Sequence, residues 1–125
     1  MSIEFLQKAQ ENLEDAQVAL TQGRFNAAAN RAYYAGFQAA IAALAAEEIR
    51  HPKNPHEWVQ AQFSERLIKR KKLYPSKFAS YLLDMQAVRD DADYKVIMTS
   101  KKTAKQQVTT SEEFVSFIFS KLQPS

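Results

Sequence analysis

Only two glycines, Gly23 and Gly36, interrupt a chain of 125 residues. The tight turns of a β-sheet fold need residues that accept positive φ, and glycine is the one that does so without steric cost. Four prolines complete the supply of strong chain breakers, which leaves little room for an all-β fold. Alanine, glutamine, lysine, glutamate and leucine dominate instead, and all of them favour helix. The length suits one domain with one core. The expectation is therefore a single all-α domain over residues 1–125, built as an up-and-down antiparallel bundle of four to five helices.

Five segments carry helical periodicity. The first covers 2–21, with the stripe Phe5, Ala9, Leu13, Ala16 and Leu20, Ser2 as N-cap and Gly23 as terminator. The second covers 25–49 and shows a small apolar face, Ala28, Ala32, Ala35, Gly36, Ala39 and Ala43, which lets a neighbouring helix come close. The fragment HPKNP at 51–55 then breaks the chain twice with proline. The third helix runs over 56–72 and carries Trp58, Val59, Phe63, Leu67 and Ile68; the fourth runs over 76–93 with Ser76 as N-cap. Residues 95–103 read as irregular, with a Ser-Lys-Lys-Thr turn. The fifth helix, 102–122, begins polar, exposed or bent, and ends in the apolar cluster Phe114, Val115, Phe117, Ile118 and Phe119.

Several function classes drop out. No cysteine is present, so disulfides and thiolate metal sites are excluded and a reducing compartment is the simplest setting. The start, MSIEFLQKAQENLED, is acidic and amphipathic, unlike a signal peptide. The longest apolar run, Ala39 to Ala46, is too short to span a bilayer. A soluble cytoplasmic protein with no membrane contact is expected. His51 and His56 are five residues apart across prolines, a poor metal clamp without an obvious third ligand; they read as loop histidines. No metal and no cofactor are expected. Glycine-rich phosphate loops, Ser-His-Asp or Cys-His arrangements and a helix-turn-helix signature are not suggested.

Charge is distributed unevenly. Residues 1–65 carry 5 Lys/Arg against 8 Asp/Glu, whereas residues 66–125 carry 12 against 6. The densest basic stretch, Arg66 to Lys77, contains Lys69, Arg70, Lys71 and Lys72 and no acid. Such a patch can track phosphates; it can equally be a solvated helix end.

The most unusual residue is Arg89. Phe78, Leu82, Met85 and Ala92 fall at a/d spacing, and Arg89 occupies the next slot of that stripe. A guanidinium on a packing face is costly unless something polar or anionic meets it. Asp93, four residues on, can pair with it along one helix face. The arrangement reads either as an intrahelical salt bridge at the bundle edge or as a guanidinium presented to a phosphate or a second copy, since arginine binds phosphate oxygens bidentately and stays charged. A second constellation is Asn30-Arg31-Ala32-Tyr33-Tyr34, where Arg31 and Tyr34 form a polar ridge with Gln38. Here the alternatives are tyrosines that pack their rings and leave hydroxyls at the rim, or an Arg31 that joins Arg89 in a shared polar groove.

Together these blocks resemble the HEPN domain family. Gly23-Arg24-Phe25-Asn26-Ala27-Ala28, followed by Arg31-Ala32-Tyr33-Tyr34-Ala35-Gly36-Phe37-Gln38-Ala39-Ala40, is similar to the family's opening block. His56 falls where many members carry a histidine opening the next helix, and Arg89-Asp90-Asp91-Ala92-Asp93-Tyr94 resembles a second family segment. The resemblance spans residues 2–122. It implies a helical bundle that dimerises. Many members are metal-independent endoribonucleases, and many act as toxins beside a small nucleotidyltransferase antitoxin. Their motif is an arginine, a polar residue, and a histidine four to six residues on. Here the arginine carries over to Arg89 and the polar residue to Asp90, but the histidine slots hold Tyr94, Lys95 and Val96. Tyrosine, with an ordinary pKa near 10, is a poor base at neutral pH. In some members a tyrosine close behind the arginine is modified with AMP by the partner; Tyr94 is the matching position.

The resemblance thus implies a homodimer working with a nucleotidyltransferase in a toxin–antitoxin-like module. It would bind nucleotide or RNA phosphate in an Arg89-centred dimer groove lined by Arg31, Tyr34 and Asp93. Two alternatives stand beside it. One is a metal-independent endoribonuclease toxin in which Arg89, Asp90 and Tyr94 are catalytic and Lys69, Arg70, Lys71 and Lys72 guide RNA. The other is a non-catalytic dimeric interaction module with cross-subunit Arg89–Asp93 pairs.

Overall fold

A computed structural model describes residues 2–96 and 98–123, the side chain of Ser2 excepted. Among the described residues it forms an all-α bundle of five α-helices with no strand: α1 (Ser2–Thr21), α2 (Phe25–Ala46), α3 (His56–Gln62), α4 (Phe78–Tyr94) and α5 (Lys101–Leu122). No helix among the described residues is long and apolar enough to cross a membrane.

Alanine content decides the architecture. Helix α2 is buried on nearly all sides, from Ala28 to Ala45, and α1, α3, α4 and α5 all pack against it. Ala16 and Ala19 of α1, Ala28 and Ala32 of α2, and Ala104 and Val108 of α5 form a core cluster of small side chains. Short side chains let three helix backbones converge there. A larger cluster holds the long residues, including Tyr33, Phe63, Leu67, Phe78, Met85 and Phe114. The polar start of the fifth helix is continuous and packed: Ala104, Val108 and Ser111 are buried, and the Ser111 hydroxyl donates to the Ala32 carbonyl at 2.8 Å.

The helix ends follow from capping. Gly23 sits at φ +74, with Gly23 N–H bonded to Leu20 O and Arg24 N–H to Ala19 O. These are the two bonds of a Schellman motif, and glycine suits its left-handed position. Helix α2 ends three residues earlier than its periodicity predicts. Glu48 takes φ +62, and Glu48 N–H to Ala45 O with Ile49 N–H to Leu44 O repeats the same motif without a glycine. The expected Ser-Lys-Lys-Thr turn is instead a helix start, because the Ser100 hydroxyl accepts from Thr103 N–H at 3.1 Å. Ser76 does not cap α4, whose first turn grows out of backbone bonds from Pro75, Ser76 and Lys77. The N-cap expected at Ser2 lies outside the described side chains.

The third predicted helix divides. After α3 the chain continues as a π-helical segment, Phe63–Arg70, with the wider bond Lys71 N–H to Arg66 O. The wider turn keeps Phe63, Leu67 and Ile68 all in the core. Wide turns of this kind occur mostly as short irregularities next to functional positions.

Candidate functional site

Gly36 sets the approach of α4 to α2. A Cβ at that position would lie 2.9 Å from Met85 Cε and 3.3 Å from Leu82 Cδ2, so the missing side chain lets the two helices close. Phe78, Leu82 and Met85 are buried. One turn further along the same face, Arg89 arrives beside the tyrosines of α2 with its side chain 15% exposed.

Its guanidinium is held from both helices. Nη2 donates to the Tyr34 hydroxyl at 2.8 Å and Nη1 to Asp90 Oδ1 at 3.0 Å. Nε lies 3.1 Å from Asp93 Oδ2, yet its buried N–H is aligned with no acceptor among the described residues. The contact with Asp93 is thus an attraction of charges without a directed bond. Asp93 in turn accepts from Asn30 Nδ2 at 3.1 Å. The guanidinium carbon also lies 5.2 Å from the Tyr34 ring, 5.8 Å from Tyr33 and 6.0 Å from Tyr94, within cation–π range. Burial works against the charge, but Tyr34, Asp93, Asp90 and Tyr94 outweigh it and raise the Arg89 pKa. The residue stays cationic.

A polar chain runs inward from the same tyrosines. Tyr33 is fully buried, and burial pushes its phenol up to about 12, against the smaller opposing pull of Gln60 and Arg89. Gln60 Nε2 donates to Gln86 Oε1 at 2.6 Å and to the Tyr33 oxygen at 3.2 Å. The Tyr33 hydroxyl proton is then free to point at His56 Nδ1, 2.8 Å away. Because the buried Tyr33 proton has no other acceptor among the described residues, the arrangement that satisfies it has Nδ1 accepting and His56 neutral with its proton on Nε2. Burial, reinforced by Arg89 and opposed by Asp90, lowers the His56 pKa, which agrees with that assignment. The imidazole stacks on Phe37 at 4.2 Å and meets Tyr34 edge-on at 6.0 Å.

Arg89, Asp90, Asp93, Tyr34 and Tyr94 are therefore brought together. Arg31 is not among them. It faces α1, where it donates to Asn12 Oδ1 at 3.4 Å and lines a separate cleft with Asp15, Arg24 and Ala27. The reason is helical phase: Asn30 and Tyr34 point toward α4 and Arg31, the next residue round, toward α1. The basic stretch is less free than its sequence implies. Lys69 and Arg70 lie 3.9 and 3.6 Å from Glu65, and Lys71 lies 3.3 Å from Glu47 at the end of α2. The Arg89–Asp93 pair forms within one chain.

His56, read as a loop histidine from its spacing to His51 but placed by the family resemblance at the opening of the next helix, does open α3 and joins the site with Tyr33, Gln60, Gln86 and Asn30. His51 stays in the preceding loop, its Nδ1 accepting from Lys53 N–H at 3.0 Å. No group of His, Cys, Asp and Glu among the described residues could hold a metal ion. The sequence placed His56 at a helix start after Pro55; that this start faces the tyrosine pair is a tertiary fact.

A family model described as HEPN domain matches residues 3–122, nearly the whole length. No curated protein matches.

Proposed function

The chain belongs to the HEPN domain family, and from that premise we propose that it acts with a nucleotidyltransferase partner in a toxin–antitoxin-like module. In this reading the whole chain is one HEPN domain that dimerises, and Arg89 binds the phosphate of a nucleotide or RNA in the dimer groove. One observation carries it. A guanidinium fastened between α2 and α4 gives one proton of Nη1 to Asp90 and one of Nη2 to Tyr34, which leaves a second proton on each, while Tyr94, against the same guanidinium, is 77% exposed. An arginine serving only as a strut would spend its donors inside the fold. Here Tyr34 and Asp90 orient the planar fork, which is what bidentate recognition of phosphate needs. The exposed Tyr94 hydroxyl is open to a partner that transfers AMP. Val96 and Met98 follow it and are also exposed, an apolar rim suited to cover by a second copy.

Asp90 and Asp93 cancel the field of Arg89, so recognition rests on directed hydrogen bonds more than on long-range attraction. Lys69, Arg70, Lys71 and Lys72 are then the residues that would steer an anionic strand toward the bundle.

The test is equilibrium binding of AMP and of a short RNA to the wild type and to Arg89→Ala, with sedimentation to report the oligomer. Loss of a charge-assisted hydrogen bond costs about 1.5–3 kcal/mol, or roughly ten- to a hundredfold in affinity. A wild-type monomer that binds neither ligand refutes the reading. Incubation with a minimal nucleotidyltransferase and ATP, followed by mass spectrometry, tests Tyr94; modification elsewhere, or equally in Tyr94→Phe, removes it from the scheme.

A further inference from the structure

We propose that His56 is the second anchor of the phosphate held at Arg89, giving its Nε2–H to a phosphate oxygen and taking up a proton as the phosphate binds. The inference rests on the phosphate-binding reading above and adds a residue from a different helix to that site.

The geometry is specific about the ring. Tyr33 occupies Nδ1 at 2.8 Å, and the face of the imidazole lies on Phe37 at 4.2 Å. Nε2, on the opposite edge, has no hydrogen-bond partner among the described residues. Both the imidazole and the guanidinium of Arg89 sit against the Tyr33 and Tyr34 rings, at 5.6 and 6.0 Å for His56 and 5.8 and 5.2 Å for Arg89. The two basic groups thus flank one tyrosine pair, each with N–H donors to spare.

Charge explains the proton. The groups facing His56 are Tyr33 and Tyr34 from α2 and Arg89 and Asp90 from α4, with Asp93 bound to the same guanidinium. With His56 neutral, one arginine meets two carboxylates, and the site is net negative. A phosphate adds a further negative charge. Protonating His56 offsets one negative charge and, for a diester, returns the site to the net charge it carries without ligand; the ordinary pKa of histidine is close to neutrality, and Tyr33 can rotate its hydroxyl to accept from Nδ1–H. Without ligand, burial and Arg89 keep the ring neutral. An anion in front of Nε2 opposes both effects and favours the protonated ring.

NMR of the two histidine rings tests this directly on the full chain. The titration is run without ligand, with a 2′-O-methyl RNA hexamer lacking a terminal phosphate, and with AMP. The hexamer cannot undergo 2′-OH attack and its diesters do not titrate near neutrality; AMP distinguishes a nucleotide from a strand. His56 is expected to titrate below the ordinary histidine range when free and about one unit higher when saturated, equivalent to tenfold tighter binding by the protonated form. His51, whose Nδ1 accepts from Lys53 N–H, lies outside the site, and its ring signals separate a response at the site from a general one. His56→Gln retains an N–H donor without the titration. It should lose the gain in affinity that wild type shows on going from pH 7.5 to pH 5.5. A ligand whose binding is lost in Arg89→Gln while the His56 midpoint stays unchanged overturns the proposal and leaves the phosphate site standing. Failure of the wild type to bind either ligand overturns both.

Discussion

Replacing Tyr33 by phenylalanine removes one oxygen from a buried position and breaks two hydrogen bonds at once. The ring stays, so packing against Phe37 at 5.9 Å and Tyr34 at 5.3 Å is kept. What is lost is the hydroxyl that donates to His56 Nδ1 and accepts from Gln60. Gln60 retains Gln86 as an acceptor at 2.6 Å, and half-buried His56 can turn Nδ1 toward water. The net loss is therefore close to that of one ordinary hydrogen bond, about 0.5–1.5 kcal/mol, or roughly 2–6 °C in Tm for a chain of this size. The pH dependence is the sharper readout. A histidine whose pKa is lower folded than unfolded binds fewer protons in the native state. Its stabilising contribution is complete above about pH 6.5, the unfolded value, and is lost as pH falls from there through the folded value. Burial and Arg89 lower the His56 pKa; in Tyr33→Phe the ring turns Nδ1 toward water, which eases the burial and shrinks that loss. Urea denaturation of both proteins at pH 7.5 and 5.5, where carboxylates remain ionised, measures it. The wild type should lose more stability across this interval than the variant. An unchanged stability at pH 7.5 together with an identical loss on acidification refutes the network, and with it the assigned tautomer of His56.

Three further substitutions probe the scaffold that places the site. Gly36→Leu should cost about 1–3 kcal/mol by overpacking and weaken ligand binding by moving α4; Gly36→Ala, which presses on the side-chain ends of Met85 and Leu82 and gains about 1 kcal/mol of helix propensity, should leave Tm within a few degrees of wild type. Glu48→Gly relieves a left-handed residue at φ +62 and should raise stability by about 0.5–1 kcal/mol in chemical denaturation, with no change in ligand affinity. Ser111→Ala deletes a fully buried donor to Ala32 O and should cost about 0.5–1.5 kcal/mol, whereas Ser111→Val should cost more, because three helices leave no volume for it.

Much of the fold was legible because helices are local. Periodicity located five helical segments, Gly23 ended the first one, and the alanine face of α2 announced a buried, closely packed helix. Local capping was read less well. Glu48 can occupy a left-handed position only because Ile49 is buried behind it, and Ser100 caps α5 in a stretch whose composition resembles a turn. The π-helical segment could not be read at all: it arises where Phe63, Leu67 and Ile68 must all reach the core, a demand set by the neighbouring helices.

The site divides along the same line. Arg89 stood out in the chain because a charge within an apolar stripe violates a periodic pattern, and Asp90 and Asp93 lie within its own helix, where spacing dictates contact. Arg31 and His56 depend on how helices are placed around α2. One residue of helical phase turned Arg31 toward Asn12 of α1, and the packing of α3 carried His56, 23 positions from Tyr33 in the chain, to the tyrosines that also hold Arg89. Spacing along a helix is written in the order of residues; the meeting of side chains from α2, α3 and α4 exists only once Gly36 and the small faces of the bundle have let those helices close.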